Sequence, residues 1–222
     1  MRPVVLVAGA VGPTARMIAD ECGSWARVVL SSETTPTSAL GDAARHTRLT
    51  ADDVDSAVAL LDEVAAQDGP LRLLVINSAD RPIGGDLDVA QLERDVLGSL
   101  ALIELASERM TADGGGTIVH LQRDLAPTDA AAAAIAGATP DHAAQLRPVR
   151  VNAIEIDGEV LDALERTGAA DAADAGEVAA IVNGYADTLA SVGDICRFLY
   201  ESPRVTGTTI SIRRPEFFYE LG

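Results

Sequence analysis

The feature that most constrains this chain is a regular alternation of short apolar runs with longer stretches of helical periodicity. Pro3–Ala8 (PVVLVA), Arg27–Leu30 (RVVL), Thr47–Leu49, Leu71–Asn77 (LRLLVIN), Gly116–Leu121 (GTIVHL), Val149–Ile156 (VRVNAIEI) and Thr208–Arg213 (TTISIR) read as strands. Most are apolar at nearly every position rather than at every second one. That pattern belongs to parallel strands covered on both faces. Between them, Pro13–Cys22, Asp52–Ala66, Val89–Met110, a stretch within Thr128–Gln145 and Thr188–Glu201 read as helices. Pro13 suits a first helical turn, where its missing N–H has no partner to lose. In the second helix Val54, Ala57, Val58, Leu61 and Val64 recur at helical spacing, and Thr50 stands where a cap is expected. The alanine-rich helix is expected to break near Pro140.

Strands alternating with helices build βαβ units. The expected fold class is therefore α/β: a Rossmann-type, doubly wound parallel sheet with helices on both faces. At 222 residues and 48% hydrophobic, the chain suffices for one core, so residues 1–222 are expected to form a single domain. There is no internal repeat, and Thr167–Gly176 (TGAADAADAG) reads as a loop or frayed helix.

Charge and composition narrow the function classes. A net charge of −17 argues against nucleic acid and anionic membranes, both of which need a basic footprint. No apolar run approaches the ~18–20 residues needed to span a bilayer, and no cleavage-site pattern follows the N-terminus, so a cytoplasmic protein is expected. Cys22 and Cys196 match no metal-ligand spacing, and with only His46, His120 and His142 no metal site is expected. Both cysteines read as free buried thiols. All 17 basic residues are arginine; the sequence contains no lysine.

Five segments, in order, resemble the short-chain dehydrogenase/reductase family over nearly the whole chain. Val7-Ala8-Gly9-Ala10-Val11-Gly12 stands where that family has its glycine-rich first turn. Ile76-Asn77-Ser78-Ala79-Asp80 resembles its V-N-N-A-G, and Gly115–Leu121 its G-G-x-I-V-N-I. Val149–Ile154 is similar to I-R-V-N-x-V, and Val205–Ile210 to I-T-G-x-x-I. The resemblance implies the family fold. It also implies a reaction carried by a Tyr-x-x-x-Lys pair, a serine ending the fifth strand and a helix asparagine.

This sequence departs from each of those positions. Gln122-Arg123 take the place of the serine pair, and Thr128–Ile135 (TDAAAAAI) holds neither tyrosine nor lysine. Leu97 or Gly98 stands nearest the asparagine. The reading is a degenerate family member with no catalytic residue of the usual kind.

Dinucleotide binding needs glycines for close approach to a pyrophosphate and free N–H groups at a helix start. The candidate cofactor-binding residues are Gly9, Gly12, Thr14, Asn77, Ser78 and Ala79, in a degenerate turn. Gly9 and Gly12 are only three apart, and Pro13 removes one N–H. Thr14 offers a hydroxyl in exchange. Asp80 replaces a glycine, and a carboxylate there opposes anionic phosphates. No cofactor is expected; residual NAD(P) binding is the alternative.

The helices around 89–110 and 128–145 correspond to those that pair subunits in the family. Val96–Ala106 (VLGSLALIELA) is apolar on almost every face, which implies burial on two sides. The expected function is a catalytically inactive subunit that assembles with an active short-chain dehydrogenase/reductase homologue, as a dimer or tetramer. The tail Arg213–Gly222 (RRPEFFYELG) carries aromatic and arginine side chains of the kind that anchor interfaces. The alternative is altered, non-redox chemistry (lyase, isomerase or cyclase) at the C-terminal strand ends. Its candidates are His120, Arg123, Asp80 and Asp157, with Gln122, Asp124 and Glu155 nearby; His120 also reads as a satisfied strand residue and Arg123-Asp124 as a surface ion pair. A nucleotide-sensing regulator is the third reading.

Overall fold

The computed structural model describes residues 2–9, 12–33, 44–50, 53–80, 89–124, 130–158, 161–162 and 192–212. The described elements are β1 (Val4–Gly9), α1 (Pro13–Cys22), β2 (Arg27–Ser32), β3 (Ala44–Arg48), α2 (Val54–Gln67), β4 (Leu71–Asn77), α3 (Val89–Ala112), β5 (Thr117–Arg123), α4 (Ala130–Gly137), α5 (Thr139–Gln145), β6 (Arg150–Ile156), α6 (192–201) and β7 (Thr209–Ile212). The strands form one sheet in the order β3-β2-β1-β4-β5-β6-β7. Every pairing is parallel. The expected doubly wound α/β sheet is therefore observed. Strand order reverses between β1 and β4, and at such a point the carboxyl ends of the strands bound a crevice.

Both faces of the sheet are buried, and successive side chains serve opposite cores. Val5, Val7, Leu73, Val75, Leu121 and Ile154 pack with Ile18 of α1 and Val192 and Leu199 of α6. Val4, Leu6, Leu74, Ile118 and Val151 pack with Leu61, Ile103, Met110 and Ile135 of the opposite helices. This is why the strands read as continuously apolar. Each fully buried leucine or isoleucine contributes about 1.5–3 kcal/mol on transfer from water.

The third strand lies earlier than the expected Thr47–Leu49. It is a half-buried edge strand whose polar sequence hides it from a search for apolar runs. Arg45 pairs with Glu63 and, at 2.6 Å, with Asp68, and Thr47 donates to Glu63 at 3.0 Å, tying β3 to α2. The cap of α2 also differs from expectation. Asp53, not Thr50, accepts from the Asp55 amide at 3.0 Å, while the Thr50 amide donates to Ser56 Oγ. The alanine-rich helix breaks at Ala138, and Pro140 falls in the first turn of α5.

Arg150 fastens α6 to β6. Its guanidinium donates to the carbonyls of Leu199 and Tyr200, each at 2.7 Å, and to that of Ser202, which end that helix. Tyr200 stacks on Trp25 with centroids 5.4 Å apart. Cys22 and Cys196 are free and buried as expected; burial pushes the Cys22 thiol up to about 12. The low-complexity stretch at 167–176 and the tail from Arg213 lie outside the described residues. Among the described residues no helix is long and apolar enough to cross a membrane.

Candidate functional site

The switch point brings the ends of β1 and β4 side by side, with Gly9 opposite Asn77. Gly9 has φ +118, and a Cβ there would lie 2.5 Å from the Asn77 carbonyl oxygen. Only glycine fits that approach. The chain then enters α1, whose cap residue is Gly12. A helix start leaves backbone N–H groups without intrahelical partners, and Gly12 has no side chain to satisfy them.

Asp80 does so from across the sheet. Its Oδ2 accepts from the amides of Gly12 at 3.0 Å and Ala15 at 2.9 Å, and its Oδ1 from the amide of Thr14 at 3.0 Å. A fourth donor is Asn77 Nδ2, 2.8 Å from Oδ2. The fully buried Asn77 accepts the Ala79 amide on its own Oδ1 at 3.1 Å, which turns the chain back toward α1. A full negative charge thus sits on the positive end of the helix, where bonds to a carboxylate are stronger than neutral ones.

All six candidate nucleotide residues gather at this end of β1 and β4, and the amides of Gly12, Thr14, Ser78 and Ala79 and the Asn77 side chain are bonded within the protein. Thr14 contributes its amide rather than the expected hydroxyl, which is buried without a partner. The Ser78 amide donates to Leu121 O at 2.8 Å, and Ala79 packs into the α1 core.

The end of β5 carries the second cluster. His120 is buried and shares a 2.8 Å hydrogen bond with Thr139 Oγ1, its ring edge-on to His142 at 5.7 Å. Burial, with the neighbouring His142 as a lesser cause, lowers its pKa to about 4. It is a buried strand residue as the sequence allowed, but only half satisfied: Nδ1 is bonded to Thr139, while Nε2 is buried without a partner. Gln122 Nε2 donates to Glu155 at 2.9 Å, and Ser211 Oγ donates to the same carboxylate at 3.0 Å, a polar ladder across β5, β6 and β7.

Arg123, three residues from His120, points to the opposite face. Its guanidinium donates to Gly158 O at 3.3 Å and pairs with Asp162. The Arg123 side chain is only 6% exposed while Asp162 is 54% exposed, so Arg123 is a buried anchor whose partner reaches the surface. Asp157 is half-buried, and its amide donates to Ile212 O at 2.9 Å. Among the described residues no group of His, Cys, Asp and Glu is placed to hold a metal ion.

A cleft of about 440 Å³ opens between α2 and α3, lined by Leu49, Val54, Ala57, Leu97, Gly98 and Ala101. Leu97 is 63% exposed and Val54 54%. A smaller hollow of about 50 Å³ adjoins it beneath Gly9, with Asp95 on its wall. Neither Leu49 nor Asp95 stood out in the sequence, because the cleft exists only once two helices distant in sequence are packed together.

The same architecture occurs in solved structures. A protein from Burkholderia xenovorans assigned to the short-chain dehydrogenases/reductases superposes with a TM-score of 0.70 at 20% identity, over 95% of this chain and 94% of that one. The chain has the short-chain dehydrogenase/reductase fold. A single-residue variant of the actinorhodin polyketide ketoreductase, solved with NADPH, has a TM-score of 0.72 at 19% identity over 96% of each chain. The aldohexose dehydrogenase of Thermoplasma acidophilum gives 0.72 at 18%, over 95% of this chain and 92% of that one. No protein-family model matches the chain, and no curated protein is similar to it in sequence.

A dinucleotide held in the manner of this fold needs the amides at the start of α1 for its diphosphate. Here those of Gly12, Thr14 and Ala15 are taken by Asp80, and Pro13 has none. As seated, the residues present do not fit that group.

Proposed function

We propose that the chain is a non-catalytic subunit of short-chain dehydrogenase/reductase fold that assembles with an active homologue through α3 and the α4–α5 region. The observation that carries the reading is the end of β5. Gln122 and Arg123 are both buried and bonded to protein partners there. A hydroxyl that would polarise a carbonyl has no counterpart in them, and no lysine exists anywhere to lower the pKa of a tyrosine. Leu97 supports the assembly half of the reading. It is a large apolar side chain exposed on α3, and with the exposed Val54 it lines the cleft between α2 and α3, where contiguous apolar surface marks an association site.

Altered chemistry on the same scaffold has less support, since His120 and Arg123 face opposite sides of the sheet and both are buried. The subunit reading is tested by co-expressing the chain with a complete Tyr-x-x-x-Lys homologue from the same genome. Co-elution on gel filtration, and a rise in the homologue's reductase activity in its presence, are the expected results. A homologue that is fully active and homo-oligomeric alone, with no complex formed, overturns it.

A further inference from the structure

We propose that Asp80 is a built-in occupant of a phosphate site: the chain fills the anion-binding start of α1 with its own carboxylate and thereby closes that site to nucleotides. Three observations converge. The carboxylate accepts three backbone amides, from Gly12, Thr14 and Ala15, together with the Asn77 side-chain amide. Backbone amides clustered at a helix start, with the helix dipole behind them, are an arrangement that holds a phosphate, and here three of them remain on either side of Pro13. Asn77 is fully buried, so the cradle is part of the fold rather than a chance surface contact. Gly12 is shaped to this occupant, since a Cβ there would lie 2.8 Å from Asp80 Cγ.

The consequence is competition within one molecule. An incoming phosphate must displace a carboxylate already at contact distance, and while Asp80 remains nearby the two anions repel. The ligand class that the emptied cradle would take is a phosphate or the diphosphate of a dinucleotide. Removing the Asp80 side chain should therefore create anion binding rather than merely damage the protein. This inference concerns the isolated chain and does not depend on the subunit reading.

The test uses the full chain and its Asp80→Gly and Asp80→Asn variants, with inorganic phosphate, inorganic pyrophosphate and NADPH as separate probes in calorimetry and thermal melts. The unchanged chain is expected to show no saturable binding of any probe. Asp80→Gly is expected to bind pyrophosphate at least roughly tenfold more tightly than the unchanged chain, a difference of about 1.4 kcal/mol, with Asp80→Asn intermediate. NADPH binding beyond that of pyrophosphate would identify a dinucleotide cradle; a phosphate response alone would identify a simple anion site, and either supports the proposal. If Asp80→Gly does not fold alone, refolding that depends on added pyrophosphate supports it equally. Three results overturn it: binding of NADPH or pyrophosphate by the unchanged chain as tightly as by the variant; variants that are destabilised yet gain no anion binding; or variants that fold under no condition, pyrophosphate included. In the last two cases Asp80 is a helix cap and nothing more.

Discussion

Gly12 and Asp80, 68 residues apart, meet so closely that the Gly12 amide donates to Asp80 Oδ2 at 3.0 Å while a Cβ on Gly12 would lie 2.8 Å from Asp80 Cγ. The backbone of Gly12, at φ −126, is open to any residue, so the need for glycine is steric rather than conformational. Gly12→Ala is therefore expected to displace the carboxylate and cost about 1–3 kcal/mol. In an Asp80→Ala background the same change should cost much less. Denaturant unfolding of the double-mutant cycle checks this; strictly additive effects would show that the two positions do not interact.

Stability should fall with mild acid, and His120 should account for much of the fall. In the folded chain burial holds its pKa at about 4, against 6.5 for an unhindered imidazole. Between those values the unfolded state binds the extra proton, so the contribution is complete above pH 6.5, declines as pH falls toward 4 and then levels off. From pH 7 to pH 5 the expected loss is about 2 kcal/mol. His120→Asn should flatten that part of the curve. His46 and His142 shift in the same direction but are only half-buried. An unchanged slope in the variant would assign the acid sensitivity elsewhere.

Arg150 gathers three carbonyls at the end of α6 with one planar guanidinium. Lysine cannot reproduce that fork. Both Arg150→Lys and Arg150→Ala are expected to lose about 2–4 kcal/mol, the alanine variant more, since each bond to a charged donor contributes about 1.5–3 kcal/mol. Hydrogen exchange should show the loss first in α6. Equal protection of α6 in the lysine variant would contradict the geometric account.

Leu97 tests the assembly surface without touching the core. At 63% exposure, Leu97→Asp should leave the melting temperature of the isolated chain nearly unchanged, as most surface substitutions do within about 0.5 kcal/mol. It should also abolish co-elution with the active homologue. Retained co-elution would remove this face of α3 from the interface.

Much of the fold was legible in the sequence. Strands buried on both faces, such as LRLLVIN at Leu71–Asn77, announce themselves because every position must be apolar. The edge strand Ala44–Arg48 was expected only as Thr47–Leu49, displaced toward its end, because its side chains are held by Glu63 of α2 and by Asp68 just past it, and ion pairs leave no periodic trace. The cap of α2 was misplaced for a similar reason, as Thr50 and Asp53 are equally good capping types and only backbone geometry chose Asp53. At the candidate site the residue set was visible from the resemblance, but the occupation of the helix start was not.

The sequence by itself determined the α/β class, the parallel sheet and the absence of any lysine. These follow from local periodicity and composition, which need no knowledge of which strand lies beside which. Tertiary structure decided what Asp80 does. Read along the chain, it is an acid in the place of a glycine and a source of repulsion. Once β1 and β4 lie side by side with Gly9 opposite Asn77, the same carboxylate is delivered to amides more than sixty positions away. Hydrogen-bond donors at a helix start can be satisfied by any acceptor that the fold brings within about 3 Å, and only the strand order specifies which acceptor that is.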